Sequence, residues 1–217
     1  MNYEDLFKYK YAIFDLDGTL LDSSDVWTKV DEEFLRKRNI PMTQEYAEEI
    51  KKHNFESGAV YTVNRYNLEE DPKDIVNEWY NMAVKAYRED INLKPGAFDF
   101  LKKLKKLGVK LAVATSSDEI LYKDCLIRNG IYDFFDAFVQ TKEVNRGKEF
   151  PDVYVEAAKR IGASIKDCLV FEDLYMAINA AKSVGFKTIG VYDKSNLEDI
   201  KLIKDKSDYY IEQYILD

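Results

Sequence analysis

Short apolar runs recur along the chain, and polar residues follow most of them. The first run, YAIFDL at residues 11–16, leads into acid, glycine and threonine, which is typical of a buried strand followed by a tight turn. Similar runs predict strands at 110–115, 137–141, 168–173 and 187–191. Helical patterns between the later runs, at 122–129 and 151–161, each lead to a glycine that can end a helix. This alternation predicts an α/β fold, a Rossmann-like parallel sheet with helices on both faces.

One long stretch interrupts the alternation. From about Ser24 to Asp90 no strand pattern is convincing, whereas helical patterns rich in Glu, Lys, Tyr and Trp occur at 27–38, 44–53 and 73–87. Lys94-Pro95-Gly96 marks the return to the α/β part, because the residue before proline resists helix and glycine frees the backbone. We therefore predict a core domain of residues 1–22 and 93–217 and a small helical domain of residues 23–92, joined by a two-stranded hinge. The last apolar segment, at 209–216, is expected to add an edge strand or to close the core.

Composition and charge exclude several classes of protein. A chain of 217 residues with 46% hydrophobic and 33% charged residues is typical of one or two globular domains. No apolar run approaches the ~18 residues that a membrane span requires. The net charge of -8 opposes binding to nucleic acid as a polymer, which needs a basic face. We therefore expect a small-molecule partner rather than a membrane or a nucleic acid.

The sequence also gives expectations for the localisation, the cysteines and the oligomeric state. The first ten residues, MNYEDLFKYK, carry charge where a secretory signal needs an apolar stretch, so we expect a cytoplasmic protein. The two cysteines, Cys125 and Cys168, are far apart and lack CxxC spacing, which argues against a disulfide framework or a thiolate zinc site. Nothing in the sequence demands more than a monomer.

Candidate chemistry follows the predicted strands at their carboxyl ends, the edge at which open parallel sheets bind ligands. The candidates are Asp15 and Asp17 after the first strand, Thr115 and Ser116 after the second, Lys148 after the third, and Glu172 and Asp173 after the fourth. Each acid alone is more often a turn or capping residue. Thr115 and the serines after it could likewise cap the next helix and also bind phosphate.

Four acidic groups at one edge would repel one another and raise their pKa values unless a cation is present. Mg²⁺ suits a site with one or two carboxylates, several waters and a substrate phosphate. Lys148 would then bridge the nucleophile and the phosphate, while the Thr115 hydroxyl and the Ser116 N–H would bond phosphate oxygens. These residues predict magnesium-dependent chemistry on a small phosphorylated metabolite, such as a sugar phosphate or a nucleotide.

Four segments resemble the motifs of the haloacid dehalogenase superfamily, in its phosphatase and phosphomutase branch with a helical cap inserted after the first motif. They are DLDGTLLDS at 15–23, ATSS at 114–117, KEFPD at 148–152 and FED at 171–173. KPG at 94–96 and AAKSVGFKTIGV at 180–191 also follow the family's pattern, so the resemblance covers nearly the whole chain. The first motif is highly specific, and the others gain weight because their order and spacing agree.

The resemblance implies a function for each candidate residue. Asp15 would be the nucleophile that forms an aspartyl-phosphate, and Asp17 the general acid and then the general base. The metal would be held by the Asp15 side chain, the Asp17 carbonyl and the Asp173 side chain, with Glu172 acting through water. Dehalogenases of the superfamily lack the second aspartate and need no metal, so Asp17 and the Glu172-Asp173 pair favour phosphate chemistry.

Three other functions remain open at this point. A sugar phosphomutase resembling β-phosphoglucomutase shares every core motif, but its cap carries a Lys-Gly pair followed by an arginine, where this chain reads Lys52-His53-Asn54-Phe55-Glu56. We therefore favour a hydrolase. A signalling receiver domain is less consistent, because receivers are about half this length and carry their phosphorylated Asp on the third strand. A non-catalytic phosphate-binding protein that retained the fold would be indicated by the loss of Asp15 or Asp17, and both are present.

Overall fold

The predicted apolar runs form the strands of one sheet. The computed structural model describes residues 3–50 and 52–215. Its strands are β1 Tyr11–Phe14, β2 Lys110–Thr115, β3 Ala137–Gln140, β4 Cys168–Glu172, β5 Lys187–Val191 and β6 Tyr209–Ile211. They are all parallel, in the order β3-β2-β1-β4-β5-β6. The last apolar segment therefore supplies an edge strand, while Leu216 at its end lies outside the described residues.

The strand order places a crevice beside β1. The chain winds outward from β1 to β3 on one side of the sheet and from β4 to β6 on the other, so the winding direction reverses between β1 and β4. Loops leave this reversal point in opposite directions, which opens a crevice at the carboxyl ends of the two strands. Asp15 follows β1 directly, and Asp173 follows β4 directly.

The contacts divide the chain into two units, Met1–Ser24 with Ile91–Asp217 and Asp25–Asp90. The second unit contains the helices α1 Val26–Lys37, α2 Gln44–Ile50, α3 Phe55–Tyr66 and α4 Pro72–Glu89. Phe34 packs edge-on against Trp79 at 5.4 Å between ring centroids, which joins α1 to α4. Inside the same unit, the Tyr46 and Thr62 hydroxyls hydrogen-bond at 2.9 Å, which joins α2 to α3.

The first unit surrounds the sheet with the remaining helices. These are α5 Ala97–Lys106, α6 Glu119–Arg128, α7 Thr141–Val144, α8 Asp152–Arg160, α9 Tyr175–Ser183 and α10 Ile200–Lys206, with short 3-10 helices at Tyr3–Lys8, Tyr132–Phe134, Ile165–Asp167 and Lys194–Asn196. Neighbouring residues of a strand point to opposite faces. Ile13 accordingly joins a core cluster with Ala157 of α8, whereas Phe14 stacks on Phe171 at 4.3 Å, and Phe100 of α5 packs edge-on against that Phe171.

The segments that lead to and from the helical insertion pair with each other. Leu21 and Leu93 form an antiparallel bridge, and the Asp22 N–H donates to the Asn92 carbonyl at 2.9 Å.

The two cysteines, Cys125 and Cys168, are buried and free. Within the described ranges, no helix combines the length and the apolar character needed to cross a membrane.

Candidate active site

A tight turn after β1 places Asp15 at the crevice. The Leu16 carbonyl accepts hydrogen bonds from the N–H groups of Thr19, Leu20 and Leu21, at 2.8 to 3.2 Å. Gly18 has a φ of +80°, which only glycine adopts without strain. The Asp15 N–H still pairs with the Phe171 carbonyl of β4 at 3.1 Å, so the carboxyl end of β1 stays in the sheet.

Three carboxylates from the two strand ends converge. Asp15, Glu172 and Asp173 are buried, and one carboxylate oxygen from each lies within 4.8 Å of the other two. The buried Lys148 ammonium donates to Asp15 Oδ1 and, at 2.5 Å, to Glu172 Oε1. Residues distant in the chain therefore meet as one cluster, which we call the acid cluster: Asp15, Lys148, Glu172 and Asp173.

The two carboxylate oxygens of Glu172 have different surroundings. Its Oε1 accepts from Lys148 and from the Tyr154 hydroxyl at 2.7 Å, and Tyr154 comes from the buried face of α8. Its Oε2 is buried without a hydrogen-bond partner among the described residues. Because a buried carboxylate oxygen without a partner is costly, this atom marks a place for a donor or a cation.

Asp173 is fixed from two directions. Thr19 Oγ1 donates to its Oδ1 at 3.0 Å, and Asn196 Nδ2 donates to its Oδ2 at 2.7 Å. The same Asn196 amide donates to the Asp173 backbone carbonyl at 3.2 Å. Gly18 lies so close that a Cβ on it would stand 2.5 Å from Asp173 Oδ2. The turn after β1 and the loop after β4 are thus fitted to each other.

Asp17 lies beside the acid cluster rather than in it. Its Oδ1 accepts from Ser23 Oγ at 2.7 Å, and its Oδ2 accepts from the Ser117 hydroxyl. The buried Thr115 hydroxyl accepts from the Ser117 N–H at 3.0 Å, while Ser116 is exposed. The ends of β1 and β2 therefore meet through the Asp17 and Ser117 side chains.

Burial and crowding dominate the electrostatics of the acid cluster. Burial raises the pKa of Asp15 well above its ordinary value, and Glu172, Asp173 and Asp17 add to the rise against the opposing effect of Lys148. Burial, followed by the Glu172 charge, raises the pKa of Asp173 to about 7. Burial alone would lower the pKa of Lys148, but the carboxylates of Asp15 and Glu172 outweigh it and raise that pKa. The lysine therefore stays protonated among acids that are costly to ionise.

The sequence of this chain matches the model of a known protein family. The model of the haloacid dehalogenase-like hydrolase family matches residues 12–191, most of the chain. The chain belongs to this family. The predicted resemblance is confirmed, and so is the α/β fold with its parallel sheet.

Individual relatives of this haloacid dehalogenase-like hydrolase include named enzymes. The probable pseudouridine-5'-phosphatase of Drosophila melanogaster is 31% identical over 86% of this chain and 83% of its own length. The bifunctional riboflavin kinase/FMN phosphatase of Arabidopsis thaliana is 30% identical over 83% of this chain, which spans about half, 48%, of that longer protein. The β-phosphoglucomutase of Bacillus subtilis is 29% identical over 84% of this chain and 83% of its own length. Among solved structures, a HAD hydrolase of family IA, variant 3, from Entamoeba histolytica has a TM-score of 0.74 at 26% identity, over 94% of this chain and 93% of that chain.

In this haloacid dehalogenase-like hydrolase the acid cluster fits a divalent cation. If all three carboxylates are ionised, the single Lys148 ammonium leaves two negative charges uncompensated. The unpartnered Glu172 Oε2 offers an acceptor for a metal-bound water. Each oxygen of Asp173 accepts one hydrogen bond from Thr19 or Asn196 and keeps a lone pair for a ligand bond. An all-oxygen donor set of this kind is typical of hard cations.

Sequence reasoning missed two polar residues of this site. Tyr154 and Asn196 contact Glu172 and Asp173, although neither stands at a strand end. The spacing of Tyr154 with Ala157 and Ala158 on one helix face was a usable signal, since a buried tyrosine hydroxyl needs a partner. No comparable signal marks Asn196. Thr19, Ser23 and Ser117 lie within the four motifs, but the motifs assign them no function.

Proposed function

We propose that this chain is a Mg²⁺-dependent phosphoric monoester hydrolase that transfers a phosphoryl group from a small phosphorylated metabolite to Asp15 and then to water. The convergence of Asp15, Glu172 and Asp173 within 4.8 Å, bridged by Lys148, carries the proposal. Two relatives named as phosphatases, of pseudouridine-5'-phosphate and of FMN, support a small phosphate ester as the substrate.

Asp15 is the nucleophile in this proposal. One carboxylate oxygen forms a bond to phosphorus while the bond from phosphorus to the ester oxygen breaks, which gives an aspartyl-phosphate. Lys148 donates to Asp15 and so orients its carboxylate. Water then attacks the phosphorus and releases inorganic phosphate, which regenerates the Asp15 carboxylate.

Asp17 moves the protons. It protonates the leaving oxygen in the first step and accepts a proton from the attacking water in the second. Ser23 and Ser117 each donate to one oxygen of this carboxylate, so its plane is fixed relative to the turn that carries Asp15. Asp15 and Asp17 are two positions apart in the sequence, so the proposed nucleophile and acid lie on the same turn.

Mg²⁺ would be held by the Asp15 and Asp173 side chains and the Asp17 backbone carbonyl, with Glu172 acting through a water. When bound, it supplies positive charge that stabilises the transferring phosphoryl group. Lys148, the Thr115 hydroxyl and the Ser116 N–H bind the phosphate oxygens in this proposal. Thr115 is buried at the end of β2, and the buried Lys148 contacts Asp15 at the end of the adjoining β1, which supports their assignment.

The helical domain, proposed as residues 23–92, would act as a cap, and residues 1–22 and 93–217 as the catalytic core. The paired segments around Leu21 and Leu93 are suited to a hinge because both crossings lie side by side. Lids of this kind admit substrate and then exclude bulk water. Substrate choice would then depend on cap residues.

A sugar phosphomutase is the second candidate, because a β-phosphoglucomutase is among the relatives at 29% identity. Its distinguishing cap sequence is absent here. Asn54 caps α3 by accepting from the Ser57 N–H at 2.9 Å, and the exposed Glu56 stands where the phosphomutase pattern has arginine. Hydrolysis is therefore the favoured outcome.

The test is phosphate release from a panel of sugar phosphates, nucleotides and an aryl phosphate, with sugar-phosphate isomers separated in parallel. Asp15→Asn should abolish release, and the exposed Asp133→Asn is the matched control that should retain it. Substantial turnover by Asp15→Asn would remove Asp15 as nucleophile. Isomer interconversion without phosphate release would establish the phosphomutase instead.

A further inference from the structure

A short turn between β5 and α10 contacts the acid cluster from outside the four motifs. It consists of Asp193 and the 3-10 helix Lys194–Asn196, which Asp193 caps by accepting from the Ser195 N–H at 2.9 Å. Asp193 is only 3% exposed. We call residues 193–196 the β5 turn.

Asn196 reaches from the β5 turn to the carboxylate proposed to bind metal. Its amide donates both to Asp173 Oδ2, at 2.7 Å, and to the Asp173 carbonyl, at 3.2 Å. Two bonds from one rigid amide to the side chain and the backbone of the same residue fix the carboxylate's rotation relative to the chain. The Asn196 amide donates to Oδ2 and so occupies one lone pair of that oxygen. The other lone pair stays available for a cation.

Asp193 holds the other end of the β5 turn. Ser24 Oγ lies 2.7 Å from each of its carboxylate oxygens, and the Lys94 ammonium pairs with its Oδ2 at 2.8 Å. Lys94 also donates to the Tyr192 carbonyl at 2.5 Å. Ser24 and Lys94 come from the two segments that lead to and from the helical insertion. One buried carboxylate therefore secures both segments.

We propose that Asn196 is a positioning residue that orients Asp173 for the divalent cation, with Asp193 anchoring the β5 turn to both crossing segments. This inference rests on the proposed function, because it presumes that Asp173 is a metal ligand. Groups that orient metal ligands commonly contribute 10- to 100-fold to metal affinity, although they never touch the metal.

A direct measurement is Mn²⁺ binding to the full chain, followed by the electron paramagnetic resonance signal of free Mn²⁺. Asn196→Ala should weaken binding by about 10-fold or more. Asn196→Leu keeps the branched shape of the side chain without a donor and should weaken binding similarly, so it serves where the alanine variant folds poorly. Asn129→Ala is the matched control. It loses two amide hydrogen bonds to the Ile91 and Cys125 carbonyls, so its unfolding temperature should fall while its Mn²⁺ affinity stays unchanged.

The outcomes separate the two proposals. Failure of the wild-type chain to bind Mn²⁺ would overturn the metal assignment and, with it, this inference. Wild-type affinity in both Asn196 variants, alongside lost binding in Asp173→Asn, would overturn the inference alone and leave the proposed function standing. Weakened binding in both Asn196 variants and normal binding in Asn129→Ala would establish the positioning function.

Discussion

Gly18 lies against the Asp173 carboxylate with no room for a side chain. Its φ of +80° and the 2.5 Å that would separate a Cβ at this position from Asp173 Oδ2 make two separate demands on this residue. The backbone demand costs an L-residue about 1–2 kcal/mol. The steric demand acts on Asp173, a residue proposed to bind the metal.

Gly18→Ala should therefore lose both stability and activity. We expect unfolding to become easier by about 1–2 kcal/mol and the metal affinity to fall by about 10-fold or more, because Asp173 must move. Urea unfolding and Mn²⁺ titration measure the two effects. Gly108→Ala is the control, since Gly108 has a φ of +75° with nothing within 4 Å of its Cβ position, and it should lose stability only. Equal metal affinity in both variants would contradict the steric argument.

Asp17 offers a second test on a single side chain. Asp17→Asn should slow phosphate release by a factor of about 10² to 10⁴, because an amide cannot exchange protons with the leaving oxygen or water. Mn²⁺ affinity should stay close to the wild-type value, since the metal would contact this residue through its backbone carbonyl. A variant with full turnover would show that Asp17 is not the acid, and one without metal affinity would show that its side chain is a ligand.

The strand-end residues were predictable from the sequence, and their supporting residues were not. Asp15, Thr115, Glu172 and Asp173 directly end or follow strands, and parallel strands bring those positions to one edge. Asn196 has no such constraint, because its contact with Asp173 depends on the path of the loop after β5. Loop paths follow from packing across the whole unit rather than from local pattern.

Among the helices, α3 shows where periodicity gives a weak signal. Gly58 and the β-branched residues after it lower the helix propensity of this segment. A Cβ on Gly58 would stand 3.1 Å from Ile50 Cδ1, so the glycine allows α2 and α3 to approach closely. Tertiary contact therefore compensates for propensity. The predicted helix 44–53 is shorter in the structure, where α2 ends at Ile50 and residue 51 lies outside the described residues.

Helix α1 carries an acid that makes the stability of the protein depend on pH. Burial, and secondarily the Glu32 charge, raise the pKa of Asp31 from 3.8 to about 7. Between these two values the unfolded chain ionises while the folded chain stays protonated, so rising pH favours unfolding. The contribution is fully present below about pH 4 and is lost as the pH rises through about 7.

Asp31→Asn should remove this dependence. At pH 8 we expect the variant to be more stable than the wild type by about 1–2 kcal/mol, a reduced value because Asp31 is partly exposed and solvent screens its charge. At pH 4 the two should be nearly equal. Urea unfolding of both chains from pH 4 to 8 gives the difference, in which all other titrating groups cancel. A difference that does not change with pH would show that Asp31 titrates normally.

For the molecule as a whole, the alternation of strands and helices was enough to predict a parallel sheet, but not the order of its strands. Nothing local in β4 indicates that it pairs with β1 rather than with β3. That choice creates the reversal beside β1 and therefore the crevice, so the chemistry proposed for Asp15 and Asp173 depends on topology. The acidic residues at the strand ends indicated a functional site because burying a carboxylate is costly unless it is paired or coordinates a metal.

A cation that occupies the acid cluster should therefore stabilise the whole folded core. The carboxylates of Asp15 and Asp173 are costly to ionise because they are buried and crowded, and a divalent ion binds the folded arrangement rather than the unfolded chain. Mg²⁺ at about 100 times its dissociation constant should add about 2.7 kcal/mol to the free energy of unfolding, or about 5–10 °C to the unfolding temperature. Scanning calorimetry with Mg²⁺ and with excess chelator measures the shift.

Asp173→Asn should show almost no shift, and its unfolding temperature in chelator should equal or exceed that of the wild type, because one of the repelling charges is gone. An equal Mg²⁺ shift in both chains would mean that the ion binds elsewhere, and no shift in the wild type would mean that the crowded carboxylates are relieved by protonation instead.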